Sequence, residues 1–347
     1  MKKFLSIALA LLMVCVMLPV VALAAEKTAS TYEELKSAIS TANDGDTIKL
    51  LADIDLSQTI TVNKTITLNM NGKKLYNTSD LWDKPTAEAN NWSLISVRGS
   101  GNLTITGNGT FAAKENDCYA VDVQESATVT IKNGTFIGNI HAVYVFAGTA
   151  NVEGGTYSVQ QKYPDSAKGD EFVLNCYDAN RANGTARINV TGGTFKNFNP
   201  ADNKAEGEGN NFADNSLVVQ KNNTVQNNDY YVGNAANEVI AAASKGEEIF
   251  VLNGTTLTNV PAGVIIQNRT GDRITVNGKD VELTGDAGYT VPASNITIIV
   301  PGDTTPAETP KTEDQKNPST GANDFVGLAA AAAVVALLGS AVVLRKK

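Results

Sequence analysis

The sequence predicts an all-β solenoid in which each repeat contributes one β-coil, and three observations carry that prediction. One phrase is written four times: LTITGNGTF at 103–111, VTIKNGTF at 129–136, ANVEGGTY at 150–157 and INVTGGTF at 188–195. Each copy alternates apolar and polar residues, which is the period of a strand. Each then breaks at glycine, and the glycines before the threonine (Gly109, Gly134, Gly155, Gly193) are 25, 21 and 38 residues apart. Glycine at such a break is turn chemistry that needs positive φ. No long helical pattern separates the copies, and recurrence at this interval without helices marks stacked coils, since a single coil cannot bury its apolar edge alone. Stacking places equivalent residues about 4.8 Å apart. Phe111, Phe136, Tyr157 and Phe195 are therefore expected to stack, with Thr110, Thr135, Thr156 and Thr194 as a ladder beside them. An antiparallel sandwich also alternates, but it does not require the repeated Gly-Thr-aromatic ending.

The elements follow in order. Lys2, Lys3, the apolar run 4–18 and Ala22 to Ala24 read as a secretory signal, residues 1–24, cut after Ala24. Val14 precedes Cys15 where a lipoprotein site wants a small residue. In residues 25–45, Thr31 followed by Glu34 is a capping box. Leu35, Ala38 and Ile39 share a helical face, and Asn43 to Gly45 stop the helix. It is expected to cap the open N-terminal end of the coils, where an unpaired sheet edge would otherwise stand free. Strand text occupies 48–51, 60–62 and 66–70 and ends at Asn71 and Gly72. Residues 76–92 are irregular and hold Trp82 and Trp92, read as a clamp of the loop onto the coils, with sugar stacking as the alternative. The long third interval predicts an insertion at 160–170. Residues 197–228 are polar and lead to a final weak coil around Leu217, which closes a coil domain at 25–232. Asp202, Glu206 and Glu208 in that stretch match no cation-binding loop. Residues 233–300 echo the N-terminus: a helix-like run, then GEEIFVL at 246–252 against GDTIKLL at 45–51, then Asn-Gly-Lys at 277–279 against 71–73. They form a small β-rich segment, either a module of its own or the end of the solenoid. Residues 301–316 are a Pro/Thr/acidic linker expected to be disordered. At about 3.3 Å per residue it reaches at most about 50 Å.

The repeated phrase, over roughly residues 30–230, resembles the right-handed parallel β-helix of the pectate-lyase-like superfamily, as found in many surface proteins of Gram-positive bacteria. The resemblance is specific for fold. That superfamily includes lyases, hydrolases, phage spikes and adhesins, so it implies no single activity.

At the C-terminal end, 325–344 is a 20-residue apolar run followed by Arg345, Lys346 and Lys347. A helix of that length spans about 30 Å, one hydrocarbon core, and the basic tail 345–347 would stay cytoplasmic. Before it stands Asn317-Pro318-Ser319-Thr320-Gly321. Pentapeptide, apolar helix and basic tail together resemble the cell-wall sorting signal read by sortases. The resemblance implies that a sortase cuts the Thr320–Gly321 bond and joins the Thr320 carboxyl to a peptidoglycan amine. Pro318 would bend the peptide, and Gly321 would leave space beside the attacked carbonyl. The commoner family motif begins with Leu where Asn317 stands here, which leaves the sortase class open. The alternative is a plain single-span membrane protein. On the sorting reading the protein is exported to the cell wall and surface, and the C-terminal helix spans the membrane only in transit.

Five of the 28 basic residues and one of the 36 acidic residues lie in the two processed ends, so the mature chain carries −12. That charge argues against nucleic acid and anionic membranes as partners. Ca²⁺ is compatible with it, though no motif supports a site and no other cofactor is expected. Cys118 and Cys176, left after processing, fall in coils separated by one intermediate coil. Equivalent positions there would be about 9–10 Å apart by the coil spacing, beyond the ~7 Å reach of a disulfide, so two free buried thiols are expected.

Alternation places Val121, Val123, Val143 and Val145 inward, and Ala120, Asp122, Gln124, Tyr144, Phe146, Asn175 and Tyr177 outward. Asp122, Tyr144, Asn175 and Tyr177, with Tyr119 and His141 at the edge, are thus the candidates for a glycan-binding face, through ring stacking and hydroxyl hydrogen bonds. An ordinary solvated sheet face is the alternative. Hydrolysis needs two carboxyls about 5–10 Å apart, and Asp122 and Glu153 are assigned to different faces. Arg98, Arg181 and Arg187 are scattered, and the single histidine has no nucleophile beside it. No catalytic residue is assigned. Three functions stay open: a wall-anchored adhesin or glycan-binding module, a passive structural surface or stalk protein, and a polysaccharide lyase or hydrolase. The partners expected are a sortase, peptidoglycan, and a host or dietary glycan or surface protein, with the chain acting as a monomer.

Overall fold

The computed structural model describes residues 24–82, 92–161, 171–202, 211–221, 228–282 and 287–293. The signal up to residue 23, most of the 160–170 insertion, the linker 301–316, the sorting motif 317–321, the apolar run 325–344 and the basic tail lie outside the described residues. Among the described residues no helix is long and apolar enough to cross a membrane.

The chain is mostly strand, and its strands up to Lys196 enter three sheets in rotation. The first sheet holds β1 (Glu26–Ala29), β2 (Thr47–Leu50), β5 (Thr65–Asn69), β8 (Asn102–Thr106), β11 (Thr128–Ile131), β14 (Gly148–Val152) and β17 (Ala186–Val190). The second takes β3 (Ile54–Asp55), β6 (Lys74–Tyr76), β9 (Thr110–Ala112), β12 (Thr135–Gly138), β15 (Thr156–Val159) and β18 (Gly193–Lys196). The third takes β4 (Ile60–Val62), β7 (Ser93–Val97), β10 (Tyr119–Val123), β13 (Val143–Val145) and β16 (Leu174–Cys176). Neighbours within these sets pair in parallel. Parallel strands stacked in this rotation are compatible with a parallel β-helix.

The repeated phrase stacks as its period requires. Phe111 pairs with Phe136, Phe136 with Tyr157 and Tyr157 with Phe195. Their ring centroids are 4.8, 5.2 and 5.0 Å apart, with interplanar angles of 14°, 11° and 10°. All four rings are buried, and Thr110, Thr135, Thr156 and Thr194 form the ladder beside them. The turn glycines before the last three threonines have φ of +115°, +101° and +120°. A Cβ on Gly155 would lie 3.0 Å from the Gly134 carbonyl oxygen. Gly109 departs from the expected pattern: in its turn Gly107 takes the positive φ, and the missing Cβ of Gly109 is space occupied by Met70, whose Cβ would lie 2.3 Å away.

α1 (Tyr32–Ser40) begins where the capping box put it. Thr31 Oγ1 accepts from the Glu34 amide at 3.2 Å, and Glu34 Oε2 accepts from the Ser30 amide at 2.7 Å. Its buried residues are Leu35, Ala38 and Ile39. A second, short helix, α2 (Asp178–Ala182), follows β16.

The expected final coil around Leu217 is instead antiparallel. β19 (Val218–Lys221) pairs antiparallel with β20 (Asp229–Val232), and β20 pairs antiparallel with β18. The polar stretch after Lys196 lacks the alternating apolar residues that another first-sheet and third-sheet strand would need, so the chain doubles back on the second sheet. That sheet then continues through β19 into β21 (Glu248–Asn253).

α3 (Asn234–Ala241) opens the C-terminal echo. β21 pairs in parallel with β23 (Ile265–Asn268), and β22 (Thr256–Leu257) with β24 (Ile274–Val276), as β2 pairs with β5 and β3 with β6. Asp46 Oδ2 accepts from the Asn43 amide at 2.9 Å. Glu247 Oε2 accepts from the Ser244 amide at 2.7 Å in the matching place. Backbone amides, from Ala25 and Asn43 in one case and Ser244 in the other, hold both carboxyls below their ordinary range. Val219, Ile240, Ile249, Val251, Ile266 and Val276 belong to an apolar cluster distinct from the main core. β25 (Lys279–Val281) and β26 (Tyr289–Thr290) complete the segment. It thus has its own core and is bonded to the coils through the second sheet.

Candidate functional site

The third sheet brings the candidate residues together by register. Thr61, Ser96, Asp122, Tyr144 and Asn175 are successive partners along one row. Two residues further along the strands, Phe146 follows Val145 and Tyr177 follows Cys176, themselves partners. Two residues before Val121, Val143 and Leu174 stand Tyr119, His141 and Phe172.

Five of the six candidates line one concavity of about 280 Å³: Tyr119, His141, Tyr144, Asn175 and Tyr177, joined by Phe172. The rings pack on one another. Tyr119 lies 4.8 Å from His141 and 5.2 Å from Tyr144, centroid to centroid. His141 and Tyr144 stack at 5.4 Å and 13°, and His141 meets Phe172 edge-on at 6.1 Å. On the other side of Tyr119, Trp82 stands edge-on at 5.5 Å and stacks on Trp92 at 5.9 Å. Asp117 holds that flank by accepting from the Leu81 and Trp82 amides at 2.9 Å each. Trp82 and Trp92 therefore pack at the head of β10 and extend the aromatic surface, while residues 83–91 between them lie outside the described residues.

Asp122 does not reach this concavity. It keeps its place in the row, yet it is fully buried, as are Ala120 and Gln124 on the same face. Alternation assigned these residues a side of the strand, but every residue of β7 and β10 is buried, so both faces of the sheet are covered there. Ser96 Oγ donates to the Asp122 carboxylate at 2.9 Å and Gln124 Nε2 donates at 2.8 Å. Burial raises the carboxyl to about 6, against the pull of those two bonds and of Arg98.

His141 and Asn175 form the polar wall. His141 Nδ1 lies 2.7 Å from the Phe172 carbonyl oxygen, which can only accept, so Nδ1 carries the proton. Nε2 is then an acceptor, and Asn175 Nδ2 donates to it at 3.2 Å. Burial lowers the His141 pKa to about 4, which keeps the ring neutral at ordinary pH. Fixed in this way, the Asn175 amide has its Oδ1 and a second N–H for other partners. Neutral amide groups and ring faces are suited to hydroxyl hydrogen bonding and stacking.

Neither Cys118 nor Cys176 is in a disulfide, and both are buried. They do not share a row, because Cys176 lies beside Val145 and Val145 beside Val123. Burial pushes the Cys118 thiol up, which leaves it protonated and unreactive. Among the described residues no three His, Cys, Asp or Glu side chains gather where they could hold a metal ion. Glu153 lies beyond the first sheet's β14, paired with Lys132 at 2.7 Å, away from Asp122.

Phe172 was not singled out from the sequence, although its offset from Leu174 matches that of His141 from Val143 and of Tyr119 from Val121. The insertion before it hid that alignment. No family model, curated protein or solved structure matches this chain.

Proposed function

We propose that this is an exported surface protein of a Gram-positive bacterium, joined to peptidoglycan through Thr320, whose right-handed parallel β-helix binds glycan. The binding site is the concavity of Tyr119, His141, Tyr144, Asn175 and Tyr177. The observation that carries the binding reading is convergence: residues from three successive coils, spread over about 60 positions of sequence, line one hollow of stacked rings around a fixed amide. Ring faces with a few placed hydrogen-bonding groups are the usual make-up of a ligand site. The anchoring reading is supported by the sequence order of pentapeptide, apolar run and basic tail.

A glycan array probed with the purified full chain in detergent tests the binding half. Retention on a subset of glycans is expected, and Tyr144→Ala with Tyr177→Ala should abolish it while leaving the unfolding transition in place. Retention on no glycan, or undiminished retention by the double variant, overturns it. Cell fractionation tests the anchoring half. The parent should be released only by wall hydrolases, and Thr320→Ala should shift the protein to membranes or medium. An unchanged distribution overturns it.

A further inference from the structure

The proposed pocket is too small for a chain of sugars, and beside it lies a second aromatic platform. Its volume of about 280 Å³ is below the ~300–1,000 Å³ of ordinary small-molecule sites. Tyr177, at its rim, stacks on Phe146 at 4.9 Å and 26°. These two rings and Leu51 are the exposed large apolar side chains of the described residues, Phe146 at 37% and Tyr177 at 44%. The platform is built rather than incidental. The Phe146 and Tyr177 amides both donate across the sheet, to Val123 and Val145 at 2.9 Å each. Asn180 Nδ2 donates to the Phe146 carbonyl at 2.6 Å, tying α2 to the same turn. Phe146 stands two residues beyond Tyr144, about 6.7 Å along the strand. The charge of the surroundings is equally specific. Among the described residues no lysine or arginine lines the pocket; the one charged lining residue among them is Asp178, whose Oδ1 meets Arg181 Nη2 at 3.3 Å.

We infer that the ligand is a neutral oligosaccharide of at least two rings, one seated between His141, Tyr144 and Asn175, the next stacked on Phe146 and Tyr177. This rests on the glycan-binding reading and deepens it. A uronate or phosphorylated sugar would find no unpaired cation among the described lining residues, since Arg181 is already paired with Asp178, and would lose its hydration without a charged partner. A neutral ring desolvates at lower cost and gains the aromatic surface that the Phe146–Tyr177 stack leaves exposed.

The experiment is calorimetric titration of the full chain in detergent. The probes are methyl glycosides, disaccharides and tetrasaccharides of glucose, galactose, mannose and N-acetylglucosamine, with galacturonate and glucuronate oligomers alongside. In the series that binds, the disaccharide should bind about tenfold tighter than the monosaccharide, as one added ring contact allows. Phe146→Ala should bring the disaccharide down to the monosaccharide's affinity without changing the latter, and Phe146→Tyr should keep the gain. Equal affinity for one ring and two, or tightest binding of the uronates, overturns the inference while leaving the pocket reading intact. If none of the probes binds the parent chain, both are overturned.

Discussion

Asn175 Nδ2 lies 3.2 Å from Nε2 of His141, on the side of the imidazole opposite its bond to the Phe172 carbonyl. The contact requires Nε2 to be bare, because a proton there would set one donor against another. His141 is the only histidine in the chain, which makes its nitrogen resonances unambiguous. At pH 6 they should report a neutral ring with hydrogen on Nδ1. Asn175→Asp places a carboxylate against Nε2, and an adjacent opposite charge favours the protonated imidazole. The His141 pKa should then move upward from about 4. A parent ring that titrates near 6.5, or an N175D ring that does not move, would show that the wall is not built this way.

His141 and Asp122 bias stability in opposite directions over the same pH range. Asp122 is raised to about 6 in the folded chain against about 3.9 unfolded. Between those values the folded state holds the proton more tightly. This contribution is complete below pH ~4 and is lost as pH rises through about 6. His141 is lowered to about 4 against about 6.5 unfolded. Its neutral burial favours the folded state above that unfolded value, and the benefit is lost as pH falls toward 4. Each shift is on the order of 3 kcal/mol at ~1.4 kcal/mol per unit, so the two largely cancel in the parent. Relative to the parent, Asp122→Asn should be steeper in the rising sense between pH 4 and 6.5, and His141→Gln steeper in the falling sense. Urea unfolding at four pH values reads both slopes. Variants that track the parent across the range would refute the pairing.

What the sequence made legible follows from what repeats in it. The Phe111 to Phe195 stack could be read because a period of two, a turn and an aromatic return at one register in every copy. The pocket residues could be named for the same reason, since Tyr144 and Asn175 share a row. The burial of Asp122 could not be read, because alternation says which side a residue takes and nothing about what lies over that side. The strands at Ile54–Asp55 and Lys74–Tyr76 are too short to show a period. The antiparallel return at Val218–Lys221 was hidden because its partners are set by where the polar stretch lets the chain turn.

Phe136 sits between Phe111 and Tyr157, with a stacked ring on each side. Phe136→Ala leaves a void that neither neighbour can fill, because both are fixed by parallel ladders. Such truncations cost about 3–5 kcal/mol. Thr135→Val, on the more exposed ladder next to it, should stay within about 1 kcal/mol. Denaturant midpoints at constant m-value give both numbers. A loss below about 1 kcal/mol for F136A would mean that the column is not the core of these coils.

Asn277 combines two roles that substitution separates. Its φ is +49°, and its side chain closes a reciprocal pair with Val260: the Val260 amide donates to Oδ1 at 3.0 Å and Nδ2 donates to the Val260 carbonyl at 2.8 Å. Asn71, its counterpart near the N-terminus, has φ +50° and donates through Nδ2 to the Leu50 carbonyl at 2.9 Å. Glycine tolerates positive φ, so Asn277→Gly removes only the side-chain bonds, about 1 kcal/mol each and about 2 in all. Asn277→Ala removes the same bonds and adds left-handed strain, about 1 kcal/mol more. Asn71→Gly should cost about half as much as Asn277→Gly, because one of its bonds is missing. Urea unfolding of the three variants decides it. Equal losses for N277A and N277G would mean that the turn relaxes out of the left-handed region. An N277G variant as stable as the parent would mean that Val260 finds other partners, and the side chain would then have no part in closing the C-terminal core.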